Sequence, residues 1–449
     1  MLAMIDLRGR GADELTRAAL HGVLPRAVLD VAAAAEQVRP VCEDVRRRGA
    51  AAVRDYTRRF DGVDLATTRV PADAIDEALG KLDEDVRAAL TEAVRRTTLV
   101  HQAQLRGDTT TTVTDGLTVT GRFVPVSRAG VYVPGGLTAY PSSVIMNVIP
   151  ARVAGVTEIA VASPPQAAYG GLPHPAVLAA CALLGVTEVH AAGGAQALAM
   201  LAYGTGDCAP VDVVTGPGNI YVAAAKRVLR GVVGTDGENG PTEIAIVADH
   251  TADPVHLAAD LIAQAEHDPL AACLLVTPDP ALPGRVAAEL ARRVPRASHR
   301  ERVEAALAGQ SAQVLTDDID AALAVADAWA PEHLEIQASG AAELARRVRN
   351  AGAVFAGSWA PVSLGDYLAG SNHVLPTGGS ARHSAGLSVL PFLRLINVVE
   401  CSRDALAATL PRLAALGSAE DLPAHVAAVQ ARFGDAGAGG TGAGETAGG

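Results

Sequence analysis

Hydrophobic and polar residues alternate with different periods along the chain, and the changes of period divide it into blocks. Residues 28–107 combine charged and apolar positions at helical spacing, which predicts amphipathic helices, for example over residues 41–60 and 72–101. Alternation of neighbouring positions over residues 110–126 predicts strand. From Gly130 onward, apolar runs end in Gly or Pro loops and are followed by helix-like segments.

Short apolar runs recur in two series after residue 130, and each run has the length of a buried strand. The first series lies in residues 158–164, 188–194 and 211–219, and the second at residues 243–248, 272–277, 312–315 and 353–356. Repeated strand–loop–helix units predict a parallel sheet that is covered on both faces. We therefore expect an α/β fold with two Rossmann-like parallel-sheet domains, a helical N-terminal leader and a helical C-terminal tail.

The same pattern predicts the limits of the domains. We expect the leader over residues 1–27, the first Rossmann-like domain over 28–129 and 240–385, the second over 130–239, and the helical tail over 386–433. The Gly-rich end, residues 434–449, carries too few apolar side chains to order itself and is predicted to be disordered.

Composition narrows the class of protein. A hydrophobic fraction of 49% and a charged fraction of 19% are typical of a packed globular chain. The formal net charge of −12, without a basic stripe, argues against nucleic acid as a partner. The first residues lack the layout of a signal peptide, and no apolar run reaches the ~18 residues of a membrane span, so we expect a cytoplasmic protein without a membrane segment.

The cysteines favour reduced thiols. Their number, five, is odd, and no two of them have CxxC spacing. A disulfide framework and a cysteine-based zinc site are therefore both disfavoured.

Polar residues near the ends of two predicted helices are candidates for metal binding and proton transfer. Gln264 and His267 lie three positions apart on a helix predicted over residues 254–268, so both project from one side of it. Amide oxygen and imidazole nitrogen are competent zinc ligands, although a capping His beside an exposed Gln would have the same spacing. The adjacent Glu332 and His333 supply two proton-transfer groups of different pKa, or else a surface ion pair.

Two further pairs of polar residues lie nearer the end of the chain. Asp366 and His373 belong to a predicted polar loop after the strand at 353–356, where α/β enzymes place functional groups. A helix cap and a surface His are the alternatives there. Glu420 and His425 lie five positions apart in the tail, and by themselves they are ordinary tail composition.

Glycine loops between strands and helices are candidates for binding a dinucleotide. The sequence has no GxGxxG motif, but glycines recur at residues 132–136, 193–196 and 216–219. Glycine lets a phosphate approach the backbone, and a following helix N-terminus favours its charge. Gln196 and Asn219 add amide groups at this point. Tight turns that only connect elements are the alternative, because loops without the usual fingerprint are a weak signal.

Taken together, these segments resemble the histidinol dehydrogenase family in order and spacing over residues 28–433. The stretches that carry the resemblance are Gly130-Val-Tyr-Val-Pro-Gly-Gly, Tyr140-Pro-Ser-Ser-Val-Ile-Met-Asn, Gly216-Pro-Gly-Asn-Ile-Tyr-Val-Ala-Ala-Ala-Lys, Gln264-Ala-Glu-His-Asp-Pro, Ala330-Pro-Glu-His-Leu-Glu and Ser371-Asn-His-Val-Leu-Pro-Thr-Gly-Gly. Several long, unrelated motifs in the same order make a chance match improbable.

The resemblance implies roles for individual residues. It implies that the zinc ligands, which also contact substrate, are Gln264, His267, Asp366 and His425. It implies that Glu332 and His333 are the acid–base pair, and that further substrate contacts come from Thr242, His333, His373 and Glu420. The implied cofactor contacts are Tyr132, Gln196 and Asn219, so the second Rossmann-like domain would be the NAD side.

The resemblance also implies a reaction and an assembly. The reaction is the four-electron oxidation of L-histidinol to L-histidine by two NAD through L-histidinaldehyde, the final step of histidine biosynthesis. Each subunit would hold one Zn²⁺. The family is a homodimer with shared active sites, in which the tail crosses to the partner, so that His425 would reach the zinc of the other subunit.

The chain departs from the family pattern at four places. Thr242 stands where Ser is usual, Val213 where Lys is common, His383 where Phe is usual and Pro391 where Asp is usual. These departures leave open the same zinc–NAD chemistry on another small polar alcohol. A zinc hydrolase would have no use for the three glycine loops, and a non-catalytic binding protein would not be expected to keep both the acid–base pair and all four ligands.

Overall fold

The computed structural model describes residues 2–27, 30–135, 138–238 and 240–434, so the predicted disordered end lies outside them apart from Gly434. The strands are β1 (Ala3–Asp6), β2 (Thr109–Thr114), β3 (Leu117–Pro125), β4 (Arg128–Tyr132), β5 (Glu158–Ser163), β6 (Glu188–Ala191), β7 (Val213–Thr215), β8 (Gly234–Thr235), β9 (Glu243–Ala248), β10 (Ala272–Thr277), β11 (Ala312–Leu315), β12 (His333–Gln337), β13 (Ala353–Ala356) and β14 (Leu393–Cys401).

The α-helices alternate with these strands over most of the chain. They are α1 (Arg17–Leu20), α2 (Val31–Arg48), α3 (Ala50–Asp61), α4 (Ala72–Gly80), α5 (Glu84–Gln102), α6 (Pro141–Ala154), α7 (Pro175–Leu183), α8 (Gly194–Tyr203), α9 (Ile220–Leu229), α10 (Pro254–Ala265), α11 (Leu282–Arg293), α12 (Arg300–Ala308), α13 (Ile319–Trp329), α14 (Ala341–Arg347), α15 (Val362–Tyr367), α16 (Arg403–Ala419) and α17 (Pro423–Gln430). Among the described helices, none is long and apolar enough to cross a membrane.

Contacts between residues divide the chain into two units. The first comprises residues 1–105 and 125–393, and the second comprises residues 106–124 and the segment from residue 394 onward. Most of the segment predicted as strand, residues 110–126, therefore groups with the tail rather than with the first Rossmann-like block.

The first unit contains a five-stranded parallel sheet in the order β6-β5-β4-β7-β8. The chain starts in the middle at β4, builds one half and then crosses to β7, which is the doubly wound arrangement of Rossmann-like folds. One apolar core packs α2, α8 and α9 on this sheet, and another packs α4, α6 and α7. Both faces are thus covered, which explains why its strands are continuous apolar runs.

A six-stranded parallel sheet, also in the first unit, repeats the arrangement in the order β1-β11-β10-β9-β12-β13. Helices α10, α11 and α12 pack on one face, and α1, α13 and α14 on the other. The crossover that reverses the order lies between β9 and β12. The predicted fold class, an α/β protein with two Rossmann-like parallel sheets, is confirmed.

The predicted helical leader and tail are wrong in part, because each contains a strand. Residues Ala3–Asp6 form β1 and pair with β11, since an open sheet edge offers unpaired backbone groups to an extended segment. Only Arg17–Leu20 is helical in the leader. In the tail, Leu393–Cys401 is β14, and its β-branched residues favour a pleated surface. The helices α16 and α17 follow it.

The second unit is built around a three-stranded sheet in the order β14-β3-β2. Strands β2 and β3 form an antiparallel hairpin whose turn is Asp115-Gly116, and Gly116 has the positive φ of 75° that such a tight turn requires. Ser402 donates its backbone N–H to the Gly116 carbonyl and caps α16 with its hydroxyl. The hairpin therefore anchors the start of the helical tail.

Candidate active site

The adjacent residues Glu332 and His333 lie at the amino end of β12, beside the amino end of β9. Helix α13 ends at Ala330, which adopts a left-handed conformation (φ 53°) and turns the chain into the strand. Both side chains are buried, with 7% and 4% exposure. The alternative of a surface ion pair is therefore excluded.

The Glu332 carboxylate is held by two donors. Its Oε2 accepts hydrogen bonds from the Thr242 hydroxyl at 2.5 Å and from the Glu243 backbone N–H at 2.9 Å. These bonds favour the ionised form, but burial outweighs them and raises the pKa of Glu332 to about 8. A carboxyl group with such a pKa can both take and return a proton near neutral pH.

The His333 imidazole has one nitrogen engaged and one free. Nδ1 lies 3.1 Å from the Glu243 carbonyl, to which it donates in the tautomer that this contact selects. Nε2 is buried without a hydrogen-bond partner and lies 3.9 Å from Asp366 Oδ1. Burial lowers the pKa of His333 and so favours the neutral ring, in which Nε2 carries a basic lone pair.

The candidate ligands Gln264 and His267 also present free lone pairs. Gln264 ends the last turn of α10 and donates its Nε2 to the Thr242 hydroxyl, which leaves its buried Oε1 without a partner. His267 is exposed just beyond the helix, and its Nδ1 lies 2.9 Å from the Ala263 carbonyl, so Nε2 is free. An unpaired amide oxygen and an oriented imidazole fit a zinc site.

Asp366 is placed differently from the prediction, whereas His373 lies in a loop as predicted. Asp366 belongs to the short helix α15 rather than to a polar loop, because the chain re-enters helix after Pro361. The Asp366 carbonyl lies 3.0 Å from His373 Nδ1, and Ser143 Oγ on α6 lies 3.4 Å from His373 Nε2. Burial lowers the pKa of His373. Asp366 thus lies beside His333. His373 lies beside α6, a helix that packs on the five-stranded sheet.

This cluster occupies the amino edge of the six-stranded sheet. Ligands of doubly wound sheets usually bind beyond the carboxyl ends of the strands. Here Thr242 precedes β9 and Glu332 precedes β12, so this cluster lies at the opposite edge. Gln264 reaches the same edge because α10 returns the chain to the start of β10.

The three glycine loops begin at the carboxyl ends of β4, β6 and β7, as predicted, and Gly136 of the first loop lies outside the described residues. The Tyr132 hydroxyl accepts the Gly194 N–H at 3.1 Å, and burial raises the pKa of Tyr132 to about 12. Gln196 is buried in the first turn of α8. Asn219 caps α9 by accepting the N–H groups of Tyr221 and Val222. These groups surround the crossover between β4 and β7.

A buried ion pair that the sequence analysis missed fixes one of these loops. Lys226 Nζ donates to the Gly216 carbonyl at 2.6 Å and pairs with Asp236, which in turn accepts the Gly216 N–H at 2.8 Å. Gly216 has φ 120°, and a Cβ there would lie 1.9 Å from the Tyr132 carbonyl. The sequence did contain a signal of this buried ion pair, because Lys226 interrupts the otherwise apolar buried face of α9.

One other group of donors lies close together in the described part of the chain. Atoms of Glu188, His190 and Cys208 lie within 4.8 Å of one another, a geometry compatible with a metal. The guanidinium of Arg128 already donates to Glu188 Oε1 at 2.6 Å, as part of an ion-pair network. The positive charge of Arg128 would compete with a metal ion for Glu188. We therefore favour Gln264 and His267 as the candidate metal ligands.

Glu420 and His425 belong to the second unit. Glu420 ends α16, and His425 lies on α17; both side chains are exposed. Their proposed roles at the site stay predictions.

Two doubly wound sheets with a buried carboxylate–imidazole pair at one edge define an α/β enzyme. The sequence profile described as histidinol dehydrogenase matches residues 24–433. Histidinol dehydrogenases from Thermobifida fusca and Streptomyces avermitilis are 64% and 60% identical, covering 96% and 97% of this chain and 98% of each relative. The crystal structure of histidinol dehydrogenase from Elizabethkingia anophelis has a TM-score of 0.89 at 30% identity, covering 96% of this chain and 98% of that one. The chain belongs to the histidinol dehydrogenase family and is an oxidoreductase.

The raised pKa of Glu332 predicts a pH-dependent stability. The metal-free folded chain holds a proton on Glu332 that the unfolded chain releases above its ordinary pKa of 4.5. This contribution is complete below pH 4.5 and is lost as pH rises toward about 8. Within this window it amounts to at most about 1.4 kcal/mol per pH unit.

The measurement is urea unfolding of chelator-treated protein at pH 5.5 and at pH 8. We expect Glu332→Gln, which cannot titrate, to lose less free energy of unfolding between these values than the natural chain does. A residual loss is expected from Glu243, whose pKa burial raises to about 7. If both proteins lost the same free energy of unfolding between pH 5.5 and pH 8, the raised pKa would not belong to Glu332.

Proposed function

We propose that this protein oxidises L-histidinol to L-histidine with two NAD, through L-histidinaldehyde, in a zinc-dependent reaction that completes histidine biosynthesis. The observation that carries the proposal is the buried Glu332–His333 pair, positioned beside the unpaired Gln264 oxygen and the free His267 nitrogen. Membership of the family, and relatives that are named histidinol dehydrogenase, support the substrate.

Gln264, His267 and Asp366 would hold the zinc in each subunit, together with His425 of the tail. Bound zinc supplies Lewis acidity and a fixed attachment point for the amine and imidazole of the substrate. Thr242, His373 and Glu420 are the further substrate contacts that we propose. Thr242 already orients Gln264 and Glu332 through its hydroxyl, which the usual Ser would also supply.

His333 is the base for the oxidation of an alcohol. Its neutral Nε2 has no partner and takes the hydroxyl proton as the alcohol is oxidised. NAD, when bound, would supply the acceptor for the hydride. Glu332 acts on the aldehyde stage, since its carboxylate takes a proton from water as the water oxygen adds to the carbonyl carbon. Tyr132, Gln196 and Asn219 line the loops where we place the dinucleotide.

We also propose a homodimer with shared sites. The tail helices bury little within their own unit, and Leu416 remains 66% exposed and Leu422 39% exposed. A partner subunit would cover this apolar surface and would bring His425 to the zinc. Apolar surface at an exposed helical tail is typical of a subunit interface.

The first test is stoichiometry with purified protein, L-histidinol and NAD. We expect two equivalents of reduced nicotinamide per histidinol, loss of activity on chelation and recovery with Zn²⁺. A small amino alcohol without an imidazole is the control substrate. One equivalent per substrate, preference for the control alcohol, or full activity without metal would each contradict the proposal.

The second test separates the two members of the acid–base pair. We expect His333→Asn to slow both oxidation steps, and Glu332→Gln to block mainly the conversion of L-histidinaldehyde, because an amide does not accept a proton from water. Each general acid–base contribution is about 10²–10⁴-fold in rate. Glu343→Gln, on the exposed face of α14, is the matched control. Normal aldehyde turnover by Glu332→Gln would refute its role.

The third test concerns the crossed tail. Two inactive variants, His267→Ala and His425→Ala, are mixed after dissociation and allowed to reassociate. In a heterodimer with crossed tails, one site contains both substitutions and the other contains neither. Random reassortment makes about half of the dimers heterodimers, so about a quarter of the natural activity returns. If subunits exchange and no activity returns, each tail serves its own subunit.

A further inference from the structure

Polar side chains occupy one face of strand β12, which lies between β9 and β13, where apolar residues would be expected. His333, Glu335 and Gln337 alternate along the strand and so share a face, while Leu334 and Ile336 point into the opposite apolar core. Glu335 is completely buried, and Gln337 is 2% exposed. Burying a carboxyl group costs free energy unless the group is hydrogen-bonded, so the partners of Glu335 matter.

The Glu335 carboxyl group connects three elements. Its Oε1 accepts the backbone N–H of Val362, the first residue of α15, at 2.9 Å. Its other oxygen, Oε2, lies beside the carboxyl group of Asp260 on α10, because both groups approach the same Gln337 amide nitrogen. Gln337 Nε2 lies 3.4 Å from both carboxyl groups and closes the cluster.

These three elements carry or adjoin two candidate ligands, Gln264 and Asp366, and the acid–base pair. Asp260 lies one turn before Gln264 on α10, and Val362 lies one turn before Asp366 on α15. Strand β12 itself begins at His333. The Asp260–Glu335 contact therefore connects the backbone segments from which Gln264 and Asp366 project.

The chemistry of the contact requires a shared proton. Two buried carboxyl groups in hydrogen-bond contact cannot both be ionised, and burial raises the pKa of both. A proton kept by one of them can be donated to the other in a hydrogen bond. An amide at either position could donate in the same way, whereas an apolar side chain could not.

We propose that Asp260 and Glu335 are a positioning pair, which holds the metal-binding side chains of α10 and α15 at a fixed separation around His333. This inference rests on the proposed function, because it assigns the pair to the same zinc site. It assigns no contact with substrate or metal to either carboxyl group. Outer groups that orient metal ligands affect metal affinity by about 10–100-fold.

The experiment compares the zinc affinities of folded variants, measured by competition with a chromogenic chelator. Glu335→Leu removes the contact, and Asp260→Ala removes it from the helix side, where alanine is well tolerated. We expect both to bind zinc about 10–100-fold more weakly. Glu335→Gln can still accept from Val362 and donate to Asp260, although it loses the bond from Gln337, and it should stay close to the natural affinity. Gln313→Leu replaces a buried polar residue on β11 of the same sheet and serves as the control, with unchanged affinity.

The outcomes separate this inference from the proposed function. If the natural chain fails to bind zinc, the proposed function is wrong and the inference falls with it. If the natural chain binds zinc, and Asp260→Ala and Glu335→Leu unfold at lower temperature but bind zinc equally well, only the positioning role is overturned. Weakened binding in Glu335→Gln as severe as in Glu335→Leu would overturn it too, because the amide preserves the contact.

Discussion

The parallel pairing of β9 with β12 is the interaction on which the site depends. In this register His333 is paired with Ile244, so the peptide groups of Glu243 lie beside the acid–base pair. The Glu243 N–H donates a hydrogen bond to Glu332, and the Glu243 carbonyl accepts one from His333 Nδ1. One residue of the neighbouring strand thus orients both side chains. A shift of register by one residue would turn these groups away, and the pair would lose its alignment.

The side chain of Glu243 extends this constraint to the beginning of the chain. Arg26 Nε lies 2.7 Å from Glu243 Oε1, and its guanidinium stacks on the Trp329 ring at 4.5 Å. Arg26 also donates to the Trp329 carbonyl, at the end of the helix that precedes β12. The leader therefore contributes more than its edge strand. Through Arg26 it contacts both the start of β9 and the end of α13, the two segments next to the acid–base pair.

Local patterns in the sequence predicted much of the fold and little of the site. The predicted strands at 243–248 and 272–277 coincide with β9 and β10, because fully buried strands are apolar runs bounded by turns. Strands β1 and β14 were missed, since pairing with a distant partner decides their structure. No local pattern brings Thr242 to Glu332, which lie 90 positions apart. Here the family resemblance supplied what periodicity could not, and even so Glu335 was overlooked.

The electrostatics of the site explain why a cation suits it. Glu332, Glu243 and Asp366 lie close enough that their charges influence one another or the neighbouring imidazoles, and burial raises the pKa of both glutamates. Water does not reach the two buried glutamates, so protons on Glu332 and Glu243 substitute for the missing positive charge. Under the proposed function, a divalent cation on Gln264, His267 and Asp366 would add that charge and lower the pKa of Glu332. The carboxylate that must accept a proton from water would then be the stable form at neutral pH, which makes metal binding and the basicity of Glu332 two consequences of one charge balance.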